Sequence, residues 1–390
     1  MSCIDAAVAF AETGEELVLV IDEPKKETEE MKIVKATEDY ESWLATSIPI
    51  LKEDLKYKHQ RMADDLFEFM RATFYRWMEL WPKYCEDLDD ATEVLSVGDL
   101  HSDNFGTWRD IEGRLVWGIY DFDEAYPLPY TLDLVRLATS VLMALDQEMS
   151  AEDLAAQIVK GYKDSLKSGG KPFVLAEDNG WLRDLMLENL KYPEKFWKKL
   201  EELPTEIKPL PTPVDLALKE DMPQPGLTFR PAHRRAGLGS LGRRRFVGLI
   251  DLGRSNAARE AKELTASSVV WAQGGKSSND HSYVDIMNKS VRSQDPFLRV
   301  RGNWVVRRLS PDYSRVELAS LGSGDRRRLL YSMGWETANV HLGSGDTVAK
   351  KVRKDLRDRE EGWLAKAAEK MFEATVLDYG EWQDYWLGER

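Results

Sequence analysis

The chain has 390 residues, with 54 Lys plus Arg against 68 Asp plus Glu, so its formal net charge is −14. Apolar residues make up 43 % and charged residues 31 %, which excludes wholesale disorder and fits two or three packed units or one large bilobal enzyme. The acidic total disfavours broad binding to nucleic acid or to an anionic membrane surface and leaves a local basic pocket open. The two cysteines, Cys3 and Cys85, supply neither a disulfide framework nor a zinc-ligand cluster.

Residues 1–35 read as an acidic peripheral arm, with one strand-like run at Leu17–Ile21 and a charged tail from Glu23 to Glu30. Asp5 and the following Glu residues stand where a secretory signal carries positive charge, and no stretch approaches the ~20 apolar residues of a membrane span. A cytoplasmic protein is the expectation. From Tyr40 to Pro82 the apolar residues recur at helical spacing, with Leu51, Leu55, Met62, Leu66, Phe69, Met70, Phe74, Trp77 and Met78 on one face. Further helices are expected at Leu132–Leu145 and Ala151–Leu166, the latter capped by Ser150.

Pro204, Pro209, Pro211, Pro213, Pro223 and Pro225 then allow only short helices and mark the best internal boundary. Beyond it, Arg244–Leu252 and Phe297–Leu309 read as strands, with Gly302-Asn303 as a hairpin turn. From Asp325 onward the pattern is helical again. There is no repeat of fixed period, and the thirteen Trp read as core.

The most informative run is Ser96–Tyr126. A short strand, Val94–Val97, leads into Gly98-Asp99-Leu100-His101-Ser102-Asp103-Asn104-Phe105-Gly106; a hairpin turning at Glu112-Gly113 follows, and its return strand ends at Asp121-Phe122-Asp123-Glu124. Asp99, Asn104 and Asp121 converge as hard oxygen donors of the kind that suit Mg²⁺. A polar turn is the plain alternative. Against it, Asp99, Asp103, Asn104, Asp121, Asp123 and Glu124 crowd two strand ends and call for a neutralising cation.

A second run, Arg230–Leu252, holds Gly237-x-Gly239-x-x-Gly242 with Ser240 inside it. A dinucleotide fingerprint needs a helix after the glycines, whereas here a strand follows; strand, glycine turn, strand suits a loop folded over phosphates. Lys262 lies on a third strand-like segment. Arg230, Arg234, Arg235, Arg243, Arg244 and Arg245 flank the loop, a local excess that fits a phosphate-rich ligand, though exposed sheet edges also carry positive charge.

The D-L-H-S-D-N loop followed by strand, turn, strand and D-F-D resembles the catalytic and metal-binding loops of the protein-kinase-like superfamily, closest to its aminoglycoside-phosphotransferase branch, with Val97 in place of that branch's first His. The resemblance implies that Asp99 is the base or orienting carboxylate for the attacking hydroxyl. It puts His101 where a positive or donor group approaches the transferred phosphoryl. Asn104 and Asp121 would hold Mg²⁺, with Asp123 as a further contact, and Gly237, Gly239, Ser240, Gly242 and Lys262 would bind the phosphates of ATP. Asp133 resembles an Asp that braces the catalytic loop.

Trp304–Pro311 resembles the strand entering the hinge beside adenine, and the helix ending at His341-Leu342 resembles the one that normally precedes the catalytic loop. The glycine loop and lysine follow the catalytic loop here instead of preceding it. The resemblance therefore implies an α+β, bilobal, circularly permuted kinase-like fold: an arm at 1–35, a helical lobe at 36–225, a β-rich nucleotide lobe at 226–311 and completing helices at 312–390.

The motif order is similar to that of an uncharacterised bacterial family, domain of unknown function 2252, at Phe67–Phe74, Gly98–Gly106, Tyr120–Glu124, Asp133–Ser140, Gly237–Gly242, Glu260–Glu263 and Arg307–Pro311. Arg71, in the first of these, is a candidate arginine that either supports the site from behind or faces the substrate. No Glu follows Lys262 at the spacing of its usual helix partner, which leaves Asp280 or Asp285, or no ion pair.

The expected activity is an ATP- and Mg²⁺-dependent phosphotransferase acting on a hydroxyl of a small molecule or peptide. AMP transfer on the same fold and nucleotide binding without turnover are the alternatives. A metallophosphoesterase would require more clustered histidines than His59, His101, His233, His281 and His341 provide.

Overall fold

The computed structural model describes residues 32–388 apart from 147, 176, 190–191 and 207–208; the run at Leu17–Ile21 lies outside the described residues. The N-terminal helical stretch is divided into α1 (Ile33–Ala45), α2 (Lys52–Asp64), α3 (Leu66–Ala72), α4 (Phe74–Tyr84) and the single turn α5 (Glu86–Asp89). Local chemistry makes the breaks. Pro49 interrupts the first connection. Asp65 leaves the helical region and caps α3 by accepting from Glu68 N at 2.8 Å, and the Thr73 hydroxyl folds back to Phe69 O at 2.8 Å.

Next come β1 (Glu93–Ser96), β2 (Phe105–Arg109), β3 (Leu115–Ile119), β4 (Tyr126–Pro129), α6 (Tyr130–Ala144), α7 (Ala151–Ser168) and β5 (Phe173–Val174). Strands β1 and β4 pair, and β2, β3 and β5 form a small antiparallel sheet. Helix α6 is buried nearly all round, as the central helix of a core must be. Helix α7 starts as its sequence requires, with Ser150 accepting from Asp153 N.

The proline-rich region holds α8 (Gly180–Asn189), α9 (Pro193–Glu201) and α10 (Thr212–Glu220). Strands β6 (Arg230–His233), β7 (Arg245–Asp251) and β8 (Asn256–Glu263) follow, then the short helices α11 (Ser268–Ala272) and α12 (Tyr283–Lys289), then β9 (Arg299–Arg301) and β10 (Trp304–Leu309). The five strands form one antiparallel sheet in the order β6-β7-β8-β10-β9, and the β9–β10 connection is the expected turn at Gly302-Asn303. Helices α13 (Ser323–His341), α14 (Asp346–Asp358) and α15 (Trp363–Gly388) complete the chain.

Helix α15 returns to the helical body. Asp378 accepts from Arg76 Nε at 2.7 Å, and the buried Trp382 donates to His59 O. One large core joins α4, α6, α7, α13 and α15 to the small sheets. The architecture is α+β, and among the described residues no helix is long and apolar enough to cross a membrane.

The five-stranded sheet uses its two faces differently. Phe246, Ala261, Trp304 and Val306 point to one side and are covered by Val214, Ala217 and Leu218 of α10. On the other side the register sets Arg245, Lys262 and Val305 in one row, and Val247, Glu260 and Arg307 in the next. Leu200, with Phe196 and Trp197, packs α9 over Val247, Leu249, Ala258 and Leu309. Helices α9 and α10 therefore pack as two caps on the sheet, and α9 covers the apolar half of the face that carries Lys262.

Candidate active site

The loop after β1 is held by Asp133, from the first turn of α6. Its carboxylate accepts from Val97 N at 2.7 Å and Gly98 N at 2.9 Å, and lies 2.9 Å from His341 Nε2. The Tyr162 hydroxyl meets His341 Nδ1 at 2.8 Å. This is the bracing role expected of Asp133, with the end of α13 contributing through His341. Gly98 has φ +83, and a Cβ there would fall 2.4 Å from Glu124 O, so the loop touches the Asp121–Glu124 segment backbone to backbone.

Asp99 follows at once. Arg136, fully buried on α6, donates to Asp99 Oδ1 through Nε at 2.8 Å and through Nη2, and gives a further bond from Nη2 to Met70 O at 2.9 Å. The Arg136 guanidinium stacks against Phe74 and Trp77. Burial raises the pKa of Asp99 above the usual carboxylate range against the opposing charge of Arg136, which makes it a stronger base than a surface aspartate. Sequence reasoning missed Arg136, although an arginine inside a largely apolar helical stretch is itself a signal of a buried ion pair. His101 is pushed well below its ordinary value by burial and by Arg71, Arg136 and Arg315. Near neutral pH this favours the uncharged imidazole.

Asn104 closes the loop. Its Oδ1 accepts from His101 N at 2.7 Å. Across the small sheet, Asp121 Oδ1 lies 3.0 Å and Asp123 Oδ1 2.6 Å from Lys262 Nζ. This is the ion pair left open by the sequence: Lys262 is partnered by Asp121 and Asp123, while Asp280 accepts from Ser278 and Asp285 pairs with Lys289. Burial would raise Asp121, but Lys262 and Arg307 hold it well below the usual range; burial and the neighbouring Asp121 charge push Asp123 up. Glu124 is tied to the segment after β8 by Ser267 Oγ, Ser268 N and Ser268 Oγ, and to Arg243 at 3.2 Å. The crowding of acidic groups therefore does not itself require a metal, because Arg136, Arg243 and Lys262 already neutralise it.

The glycine loop joins β6 to β7. Gly237 and Gly242 have φ of +72 and +96. At Gly239 a Cβ would stand 2.9 Å from Arg71 O and 3.5 Å from Asp99 Oδ2, so the loop rests on α3 and against the Asp99 carboxylate. Arg245 Nη2 donates to Ser240 Oγ at 2.8 Å. Helix α2 pins the loop from the far side: Leu51 N donates to Gly242 O at 2.9 Å, and Asp54 pairs with His233 at 2.8 Å and Arg235 at 2.7 Å.

Two positions down the strand from Lys262, Glu260 is buried beneath three arginines. Arg245 reaches it at 2.9 Å and Arg307 at 2.7 Å, with Arg234 as the third partner. Burial would raise Glu260, yet the three guanidinium groups hold it well below the carboxylate range. Nothing in the sequence announced this cluster.

These parts meet in one cleft. Asp99, His101, Asn104, Asp121, Asp123, Gly237, Gly239 and Ser240 line it, together with Arg71, Arg234, Arg307 and Arg315; Lys262 lies just behind Asp123, and Gly242 faces Leu55 of α2 instead. At about 230 Å³ it is smaller than the ~300–1,000 Å³ common for small-molecule sites, because α9 covers the apolar part of its roof. Around it stand eight side-chain cations (Arg71, Arg136, Arg234, Arg243, Arg245, Lys262, Arg307 and Arg315) and six carboxylates (Asp99, Asp103, Asp121, Asp123, Glu124 and Glu260). A protein of net charge −14 thus carries a locally cationic cleft.

The donor set fits a hard divalent cation. Asp121 and Asp123 offer carboxylate oxygens and Asn104 an amide oxygen that also accepts from His101 N, and Asp123 Oδ1 is buried and outside hydrogen-bond geometry despite its nearness to Lys262. Among the described residues no three His, Cys, Asp or Glu side chains form a metal-binding cluster, so such a cation would depend on the amide, water and a bound anion for its remaining contacts.

Fold and site define an α+β protein with a buried acid–base cleft roofed by a glycine hairpin. The profile of a family described as "uncharacterized protein conserved in bacteria (DUF2252)" matches residues 51–181 and 231–385, and the chain belongs to that family. The unmatched stretch between these segments contains α9 and α10. No curated protein and no solved structure matched the chain.

Proposed function

We propose that the protein is a Mg²⁺-dependent phosphotransferase that passes a phosphoryl group from a nucleoside triphosphate to a hydroxyl, on a circularly permuted kinase-like framework. The carrying observation is that the glycine loop, from a hairpin far along the chain, lies over Asp99, so that a Cβ at Gly239 would stand 3.5 Å from Asp99 Oδ2. An acidic loop and a glycine turn have no other evident reason to share one cationic cleft.

In this reading Asp99 orients the acceptor hydroxyl and takes its proton as the oxygen attacks the terminal phosphorus and the nucleoside diphosphate leaves. Arg136 fixes the carboxylate, and neutral His101 offers a hydrogen bond to the transferred group. The loop amides around Gly237–Ser240, with Lys262 and Arg245 beneath them, receive the phosphates, while Leu309, Ser310 and Phe196 border the space for the base. Asp121, Asp123 and Asn104 would hold Mg²⁺, which when bound neutralises phosphate charge.

The test is incubation of the protein with Mg²⁺ and ATP, followed by ³¹P NMR and mass spectrometry of products, for wild type, Asp99→Asn and Asp121→Asn. Nucleoside diphosphate formed by wild type and lost in both variants supports the reading; a product carrying AMP would replace it with AMP transfer. The engagement of Lys262 by Asp121 and Asp123, with no helix Glu paired to it among the described residues, favours a second reading, a nucleotide-binding module without turnover. Binding of Mg²⁺·ATP with no product at any enzyme concentration selects that one.

A further inference from the structure

We propose that the acceptor end of the cleft recognises an anionic group, a phosphate or carboxylate carried by the hydroxyl compound, through Arg71 and Arg315. The inference rests on the phosphotransferase reading, because it names the acceptor class for that same site.

The two arginines come from the end of α3 and from the segment after β10, and both converge on the catalytic loop. The Nη1 atoms of Arg71 and Arg315 each lie 3.1 Å from the same Oδ2 of Asp103. One carboxylate oxygen thus faces two guanidinium groups, in a cleft whose cations already outnumber its carboxylates. Arg71 is held in place before any ligand arrives: it lies over the Phe67 ring, whose edge meets His101, and its carbonyl is pressed against Gly239. Its Nε is buried and has no hydrogen-bond partner, an unmet donor beside the catalytic loop. Planar guanidinium groups bind oxyanions through paired N–H donors, so an incoming anion exchanges one oxyanion contact for another. A polycationic acceptor would meet the same pair as repulsion.

Isothermal titration of the full chain with inorganic phosphate and with malonate, with and without Mg²⁺ and a non-hydrolysable ATP analogue, tests this. The expected result is that one of the two anions binds with the nucleotide analogue present. Arg315→Met, at a half-exposed position that leaves the core intact, should weaken that binding at least tenfold, and Asp103→Asn should tighten it several-fold by removing the negative charge that both guanidinium groups face. The phosphate and malonate arms decide which oxyanion is preferred. Binding of neither anion, binding indifferent to Arg315→Met, or binding lost when the nucleotide analogue is present overturns the inference; in the last case the anion has been occupying the nucleotide's own phosphate position. Nucleotide binding without anion binding overturns the anion site alone. Arg315-dependent anion binding without any nucleotide binding keeps the anion site and overturns the phosphotransferase reading.

Discussion

Replacing Lys262 by Met probes the centre of the cleft. The ammonium is buried and lies 3.0 Å from Asp121 and 2.6 Å from Asp123, so its removal leaves two adjacent carboxylates without their nearest cation. Deleting one partner of a buried ion pair costs about 3–5 kcal/mol. Asp121 keeps 29 % of its side chain exposed and Asp123 can take up a proton, which brings the expected loss to about 2–4 kcal/mol near neutral pH. The loss should depend on pH with a defined sign. Asp123 already sits above the usual carboxylate range and rises further without the lysine. The native variant then binds more protons than the unfolded chain, so its stability falls as pH rises through that pKa. Urea unfolding at pH 5.5 and 7.5, in chelator and in Mg²⁺, measures both effects. A larger loss at pH 7.5, with Mg²⁺ at about 100 times its Kd recovering about 2.7 kcal/mol, is expected. A loss under about 1 kcal/mol, equal at both pH values and indifferent to Mg²⁺, would refute the electrostatic account of this centre.

Three further outcomes follow from the same geometry. Asp133→Ala should cost about 3–5 kcal/mol in urea unfolding, because it orphans the Val97 and Gly98 amides and isolates His341, with each buried unsatisfied group costing about 1–3 kcal/mol. Glu336, buried in α13, accepts from Asn339 Nδ2 at 2.8 Å and from Ile119 N, and burial raises it to about 7 from an ordinary 4.5. Its native pKa is above its unfolded one, so wild-type stability should fall by up to about 3 kcal/mol as pH rises from about 4.5 to 7, and Glu336→Gln should remove that slope in a pH series of melts. Leu200→Ala should loosen α9 from Val247 and Ala258, lowering stability by about 2–3 kcal/mol while tightening binding of a nucleotide, relative to free triphosphate, in parallel titrations.

What could be read from the sequence was local. Gly98, Gly237 and Gly302 take positive φ, so they mark turns whichever strands meet there, and Ser150 and Gly302-Asn303 signal their helix start and hairpin directly. The strand around Lys262 was legible for the same reason, lying inside a short patterned run, whereas the bracing Asp133 was expected only from the resemblance. The helical stretch from Tyr40 was legible as helix but not as four helices, since Asp65 and Thr73 act through single capping bonds that hydrophobic spacing does not register. Most opaque were contacts between distant segments. Arg136 meets Asp99, Arg243 meets Glu124, and Arg234, Arg245 and Arg307 meet Glu260 only after folding. The prolines around α9 signalled short helices, but not that one of them covers half of a sheet.

Lys262 also links the two charge partners of the cleft. With no ligand, its ammonium serves as the counter-ion of Asp121 and Asp123. A divalent cation on those carboxylates would compete with the lysine for the same charge and release it toward the glycine loop, where an incoming phosphate offers a replacement partner. Each ligand then removes the cost the other would meet, and linkage makes the effect mutual: if Mg²⁺ strengthens triphosphate binding by some factor, triphosphate strengthens Mg²⁺ binding equally. Paired titrations of Mg²⁺ with and without ATP, repeated on Lys262→Met, isolate this route from the direct contact between metal and phosphate. Direct contact survives the substitution, whereas the part carried by the lysine does not. A coupling factor at least fivefold smaller in the variant is expected, equivalent to about 1 kcal/mol of coupling free energy; an unchanged factor would mean that the lysine and the metal never share those carboxylates.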